Sequence, residues 1–173
     1  YRPLVELAKE KHIPVIAANA PRRYVNMVSR GGRGKLDGLS KDARAWLPPL
    51  PFGDPSPEYS KKFKALMGPS AEAQMGIDNI LSSQSLWDAS MAYWISRALK
   101  TRKNALDVHL NGGFHTESRL GTVEHLLKYN KRARAIVVTM KTEDEFNKFD
   151  PVKHTGLGDF VILTDSKVPR SKR

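Results

Sequence analysis

The chain contains no cysteine, which excludes disulfides, thiolate metal sites and a cysteine nucleophile while leaving the compartment open. No apolar run approaches the ~20 residues of a membrane-spanning helix. A soluble module is therefore expected, touching a membrane only through an anchor upstream of Tyr1. No charged-then-apolar leader with a cleavage site stands before the first helical segment, so a preceding segment is expected to have been removed. Internal repeats are absent, and so is low-complexity sequence apart from the basic end. Acidic residues are the scarce charge, 18 Asp and Glu against 29 Lys and Arg, for a formal net charge of +11. Such a surface attracts anionic partners. The basic residues Lys61, Lys62 and Lys64, Arg97 to Lys103, Lys131 to Arg134 and Arg170 to Arg173 lack the aromatic interleaving of an RNA-binding sheet. No specific nucleic-acid partner is expected, and a solvated basic surface is the simpler reading.

What is present is enough apolar residue, 40% of 173 positions, to bury one core and too little length for two ordinary domains. One domain over 1–167 is expected, with a basic tail over 168–173. Pro3, Leu4, Val5, Leu7 and Ala8 read as a helix that Pro14 stops. Val15 to Ala18 is a short continuous apolar run, as in a parallel strand covered on both faces. Arg22 to Arg30 reads as a helix closed by Gly31 and Gly32, and Ser40 is placed to cap a short helix through Leu47. Pro48 to Pro57 is rich in proline and glycine and reads as a surface excursion. Helical patterning resumes from Glu58 to Met67 and from Ala71 to Lys103, with Gly76 a possible break. Further strands are expected over Ala105 to Leu110, Ala133 to Met140 and Asp159 to Leu163, separated by a helix over Thr122 to Tyr129 and a short one starting at Thr142, where Glu145 completes a capping-box pattern. Strands alternating with helices predict an α/β fold, a mostly parallel sheet flanked by helices.

Ligands of open α/β sheets bind beyond the carboxyl ends of the strands, which singles out two segments. In Asn19-Ala20-Pro21-Arg22-Arg23-Tyr24 an amide leaves a strand and two arginines enter the next helix, where guanidinium groups can fork onto a carboxylate. The same residues also suit an ordinary turn with solvated arginines. In Asn111-Gly112-Gly113-Phe114-His115-Thr116-Glu117 the paired glycines allow a sharp bend that presents His115, either as a ligand contact or as a turn histidine bonded to backbone. On the long helix, Gln84, Asp88, Met91 and Ile95 share one face and Trp87, Met91 and Trp94 an overlapping one, suited to a pocket wall or to core. His109, opposite Val108 and Leu110, reads as a satisfied histidine, and His12, His125 and His154 lack metal-ligand spacing. No nucleophile-elbow motif is present. Gly31-Gly32-Arg33-Gly34-Lys35 lacks the hydroxyl residue and the preceding strand of a P-loop.

Together, Tyr1-Arg2-Pro3-Leu4-Val5, Ile16-Ala17-Ala18-Asn19-Ala20-Pro21-Arg22-Arg23-Tyr24-Val25, Gln84-Ser85-Leu86-Trp87-Asp88-Ala89-Ser90-Met91-Ala92 and Gly112-Gly113-Phe114-His115, in this order, resemble the ChaN-like family. The resemblance covers most of the chain. The family's Gly-Glu-x-His segment has no counterpart, so the resemblance places Tyr1 in the middle of the family's domain, without its N-terminal strands. It implies haem binding, in iron or haem uptake or storage, by a homodimer in which haems stack face to face with tyrosine on the iron and histidine assisting. Carried onto this chain, the iron ligands are Tyr24 and His115, with Tyr59 and Tyr93 as rival tyrosines. The rest of the haem site is Asn19, Arg22, Arg23, Gln84, Trp87, Asp88 and Met91, with the arginines on the propionates. The family also implies a bacterial cell envelope location, as a lipoprotein or periplasmic protein, or a plastid. The wider superfamily resembles erythromycin esterases and Tiki-type proteases. That implies, as the alternative, a metal-dependent hydrolase in which His115 serves as base or metal ligand. Binding of anionic membranes or nucleic acid through the basic surface comes third.

Overall fold

The computed structural model describes residues 1–68, 76–102 and 104–169. Helix α1 (Arg2–Glu10) is followed by α2 (Arg22–Gly31), α3 (Lys41–Arg44), α4 (Pro57–Met67), the long α5 (Ile77–Thr101), α6 (Thr122–Tyr129), β1 (Val138–Glu143), α7 (Pro151–His154) and β2 (Phe160–Asp165). The helix starts are chemically marked. Ser40, Ser56 and Asp150 each accept a backbone N–H of the first turn that follows, and prolines occupy the first turns of α1, α4 and α7, where a missing N–H costs nothing. Gly76 takes the left-handed conformation before α5. The expected helical residues 71–75, Lys103 and the tail over 170–173 lie outside the described residues.

Strands β1 and β2 pair in parallel, Val138 opposite Phe160 and Met140 opposite Ile162. With the flanking helices this makes the chain an α/β protein. The approach to β2 is pinned by Asp159, whose carboxylate accepts from Val137 N–H at 2.7 Å and from Arg119 at 2.7 Å. A Cβ on Gly158 would lie 2.8 Å from the Val137 carbonyl oxygen, so the chain can pass there only as glycine. No described helix is long and apolar enough to cross a membrane.

Three expectations need correction. Val15 to Ala18 and Ala105 to Leu110 are outside any strand. Their side chains are largely exposed, Leu106 at 89% and Val15 at 61%, and among the described residues no strand forms a ladder with them. An apolar run becomes a strand only when another chain segment takes its hydrogen bonds. The expected helix at Thr142 is also absent, because Thr142 is taken into β1 opposite Thr164 and its hydroxyl meets the Thr164 hydroxyl instead of capping. The ladder is itself displaced along the chain relative to expectation, with Ala133 to Val137 preceding β1.

Helix α5 is the spine. On one side it buries Leu86 and Ala89 against Ala20, Tyr24, Val25 and Val28 of the α2 segment, together with Leu36, Leu47 and Phe52. On another it buries Ala92 and Ile95 against Leu126 of α6, and near its start Ile77 meets Phe63 of α4. Helix α1 buries nothing.

The proline-rich excursion is fastened to this spine. The Arg33 guanidinium donates to the carbonyls of Phe52 at 2.9 Å and Gly53 at 3.4 Å, pairs with Asp54 at 2.9 Å and lies 4.2 Å above the Phe52 ring. The Ser85 hydroxyl donates to the same Gly53 carbonyl at 2.9 Å. Its lone pair is left for the His125 Nε2–H, 3.2 Å away. Burial, reinforced by nearby Lys128, holds the His125 pKa down at about 4 against an ordinary 6.5. The unfolded chain therefore binds a proton that the folded chain refuses between those pH values, and stability must fall as pH drops through that window. The linked loss is about 3 kcal/mol. Urea denaturation of the parent and His125→Asn at pH 7 and pH 4 should show a pH slope smaller in the variant by roughly that amount; equal slopes would mean that His125 titrates normally in the fold.

Candidate functional site

His115 is delivered by a tight 3-10 turn, Gly113–His115, at the end of the extended segment. Its Nδ1–H donates to Asp88 Oδ1 at 2.9 Å. Asp88 is fully buried on α5, and the same oxygen accepts the Thr122 hydroxyl at 2.8 Å from the first turn of α6. The positive end of that helix favours a carboxylate there. Gly121, with φ +55°, passes so close that a Cβ would lie 2.7 Å from the His115 carbonyl oxygen, 2.8 Å from the Tyr59 ring and 3.0 Å from the Asp88 carboxyl carbon. Its N–H donates to Glu124 at 2.9 Å. The three-way junction of α5, α6 and the glycine turn exists because position 121 has no side chain.

Tyr59 completes the buried cluster. Its hydroxyl and Asp88 Oδ2 are both buried without a geometrically complete hydrogen bond, yet burial and the Asp88 charge drive the phenol's pKa far upward, holding it protonated. Phe114 packs edge-on against Tyr59 at 5.1 Å and against His115 at 5.9 Å, and Trp87 meets the His115 ring edge-on at 6.1 Å. The His115 side chain is 19% exposed. With Nδ1–H committed to a carboxylate, which only accepts, the neutral ring carries its lone pair on Nε2. That arrangement orients a histidine for metal or haem iron ligation, or for proton abstraction.

Of the residues singled out from sequence, the structure brings Trp87, Asp88 and His115 together. Met91 lies alongside, its sulfur 3.3 Å from His109 Nε2, and burial lowers the His109 pKa. Gln84 is half-buried on α5. Asn19, Arg22 and Arg23 are exposed, with the Arg23 guanidinium 4.6 Å above the Tyr24 ring. Tyr24 is 3% exposed, packed in the α2–α5 core. Among the described residues no hydrogen bond, ion pair or ring contact joins the Asn19 to Tyr24 segment to His115. Tyr93 stacks with Trp94 and Tyr129 at 5.5 and 5.7 Å, on the stretch of α5 beyond Met91. Thr122, Gly121 and the Ser85–His125 pair were missed. Glycine ahead of a helix with glutamate three residues on, Gly121 to Glu124, was the available signal for the first two.

Among the described residues no group of three His, Asp or Glu side chains is gathered to hold a metal ion. Cavities of about 230 Å³, lined by Glu143, Phe149, Asp150 and His154, and about 210 Å³, lined by Arg33, Leu50, Pro51 and Phe52, lie away from His115. Closed small-molecule pockets run to roughly 300–1,000 Å³. An oriented imidazole between aromatic edges is a donor type that suits haem iron, and neither cavity is of the size that encloses a porphyrin.

The fold and site define an α/β protein with a carboxylate-oriented histidine. Residues 1–126 match the family described as "Haem-binding uptake, Tiki superfamily, ChaN", and the chain belongs to that family. No curated protein and no solved structure matches the chain.

Removing the carboxylate that these groups share leaves Thr122, Tyr59 and the imidazole facing an unfilled polar hole. Asp88→Ala should lose about 3 kcal/mol or more of unfolding free energy, the size seen when one member of a buried pair is deleted. A loss below about 1 kcal/mol in chemical denaturation would show that the carboxylate does not organise the junction.

Proposed function

We propose that the chain binds haem on an open face, where His115 Nε2 would hold the iron. The observation that carries this reading is the Asp88–His115 hydrogen bond of 2.9 Å, which fixes the tautomer and leaves the Nε2 lone pair free, as carboxylates behind ligating histidines do. When bound, haem would supply a redox or carrier chemistry of its own. The protein's part is to hold His115, to offer Trp87 and Phe114 as apolar edges, and to keep Asp88 dry. The exposed Arg22 and Arg23 are available to anionic groups of a ligand that extends to α2. Tyr24 and Tyr59 both sit in the core, which favours histidine over either as the ligand in this fold. Carriage or storage in haem uptake is part of the same proposal, supported by the family's description.

A second reading has its own support. A buried carboxylate behind a histidine, with a protonated tyrosine beside it, is also an arrangement for general base catalysis, and the family's description includes the Tiki superfamily. In that reading a divalent metal would join His115 with ligands from outside the described residues, and hydrolysis would depend on it.

Ferric haem titrated into the purified chain, followed by Soret absorption, separates these readings. Saturable binding should weaken at least about tenfold in His115→Ala, the loss of one charge-assisted or ligand bond, and by less in Asp88→Asn, which keeps the ring in place. Tyr24→Phe and Tyr59→Phe should leave the spectrum unchanged. A tyrosinate-type spectrum lost in one of those two variants would transfer the ligand to that tyrosine. A free-haem spectrum throughout, with zinc-dependent ester hydrolysis abolished by His115→Ala, would establish the hydrolase instead.

A further inference from the structure

Beside His115, two lysines from distant elements converge on one carboxylate. Lys62 leaves α4 and Lys141 leaves β1, and their ammonium groups reach Glu117 at 3.5 and 3.2 Å. Glu117 is 13% exposed and Lys62 23%, so the group is half sunk into the protein. Lys62 also donates to the Phe114 carbonyl at 3.0 Å and lies 4.7 Å from that ring's centre, one residue from His115. The Glu117 carboxylate rests directly over Gly113, where a Cβ would come within 2.8 Å of Oε1. One of the paired glycines thus makes room for this carboxylate.

Two ammonium groups thus share a single carboxylate, with the buried Asp88 acting on Lys62 from farther off. Burial lowers the Lys62 pKa, Glu117 pulls it back up, and Lys141 adds a smaller lowering. A second carboxylate brought to this place would meet two ammonium groups whose donors Glu117 alone does not exhaust. Lysine suits the task because its ammonium has three donors that can re-aim between acceptors.

We propose that Lys62 and Lys141 form a carboxylate-binding subsite beside His115, in which Glu117 is the resident counter-ion that an incoming ligand carboxylate displaces or joins. This deepens the haem reading, on which the identity of the ligand rests; under it, a propionate is the carboxylate that enters. The recognition itself requires only a carboxylate within reach of both ammonium groups. Glu117 acts as a competitor, keeping the subsite closed to stray anions and setting the affinity that a ligand must exceed.

The test uses the full chain in two arms. In the first, succinate is titrated while the lysine side-chain ε-CH₂ signals are followed by NMR. Lys62 and Lys141 should shift saturably and together. Glu117→Gln, which removes the competitor, should bind succinate about fivefold or more tightly, the size of one exposed-to-half-buried ion pair. Glu117→Asp, which keeps the charge but shortens its reach, should tighten it less, and Lys62→Gln or Lys141→Gln should abolish the shift. In the second arm, ferric haem and its dimethyl ester are compared by Soret titration. The ester should bind about tenfold more weakly, as expected for loss of a charge-assisted contact, and either lysine variant should erase the difference. If haem gives no His115-dependent spectrum while succinate still moves both lysines, the haem reading falls and the subsite stands. If succinate leaves both lysine signals of the unmodified chain in place, or Glu117→Gln fails to tighten binding, the subsite is overturned whatever haem does.

Discussion

A carboxylate cut off from water must be matched by donors, and in this protein that requirement falls on Asp88. The residue is fully buried on α5, and the groups that answer it come from different parts of the chain, His115 from the glycine turn and Thr122 from the start of α6, with the Tyr59 phenol of α4 close enough to feel the charge. An uncompensated charge there would cost several kcal/mol, comparable to the whole stability of a domain of about this size. The apolar contacts of α5 with α2 and α6 supply the drive to collapse. The carboxylate then specifies which arrangement of the collapsed elements is acceptable, since only one placement of the glycine turn brings an N–H to its oxygen.

The helices were the most legible part of the fold, because their signals are local. Ser40, Ser56, Pro57 and Asp150 mark helix starts through bonds made within a few residues, and the apolar stripe of α5 carries its own period. Strands depend on partners that the local sequence does not mention. Val15 to Ala18 has a strand's composition and lies outside any ladder, whereas Thr142, with the chemistry of a helix cap, is drawn into β1 by its pairing with Thr164. Local capping is worth about a kcal/mol and gives way once a ladder claims the same backbone.

For the site, residue type and turn chemistry were enough to single out His115 and Asp88, but not to join them, since 27 positions separate the two. The pairing is a product of helix packing, and so is that of Lys62 and Lys141 around Glu117. Tyr24 shows where the local pattern is ambiguous. A tyrosine between arginines and valine reads equally as a presented hydroxyl or a core ring, and the i, i+4 spacing of Tyr24 with Val28 carries it inward with the apolar face of α2. Ser85 and His125 were invisible for a further reason: the Gly53 carbonyl that accepts from Ser85 lies on an irregular loop whose path follows from the Arg33 contacts and from no periodic pattern.

The bare position at Gly121 has a bearing on how this protein can change over generations. Its obstacles are a backbone carbonyl and two core side chains, none of which can swing aside as a surface lysine would. Any single-nucleotide change there that adds a side chain strikes the Asp88–His115 pair itself. Variation that the fold tolerates is therefore channelled away from the junction, and the pair that orients His115 stays frozen beneath a surface free to drift.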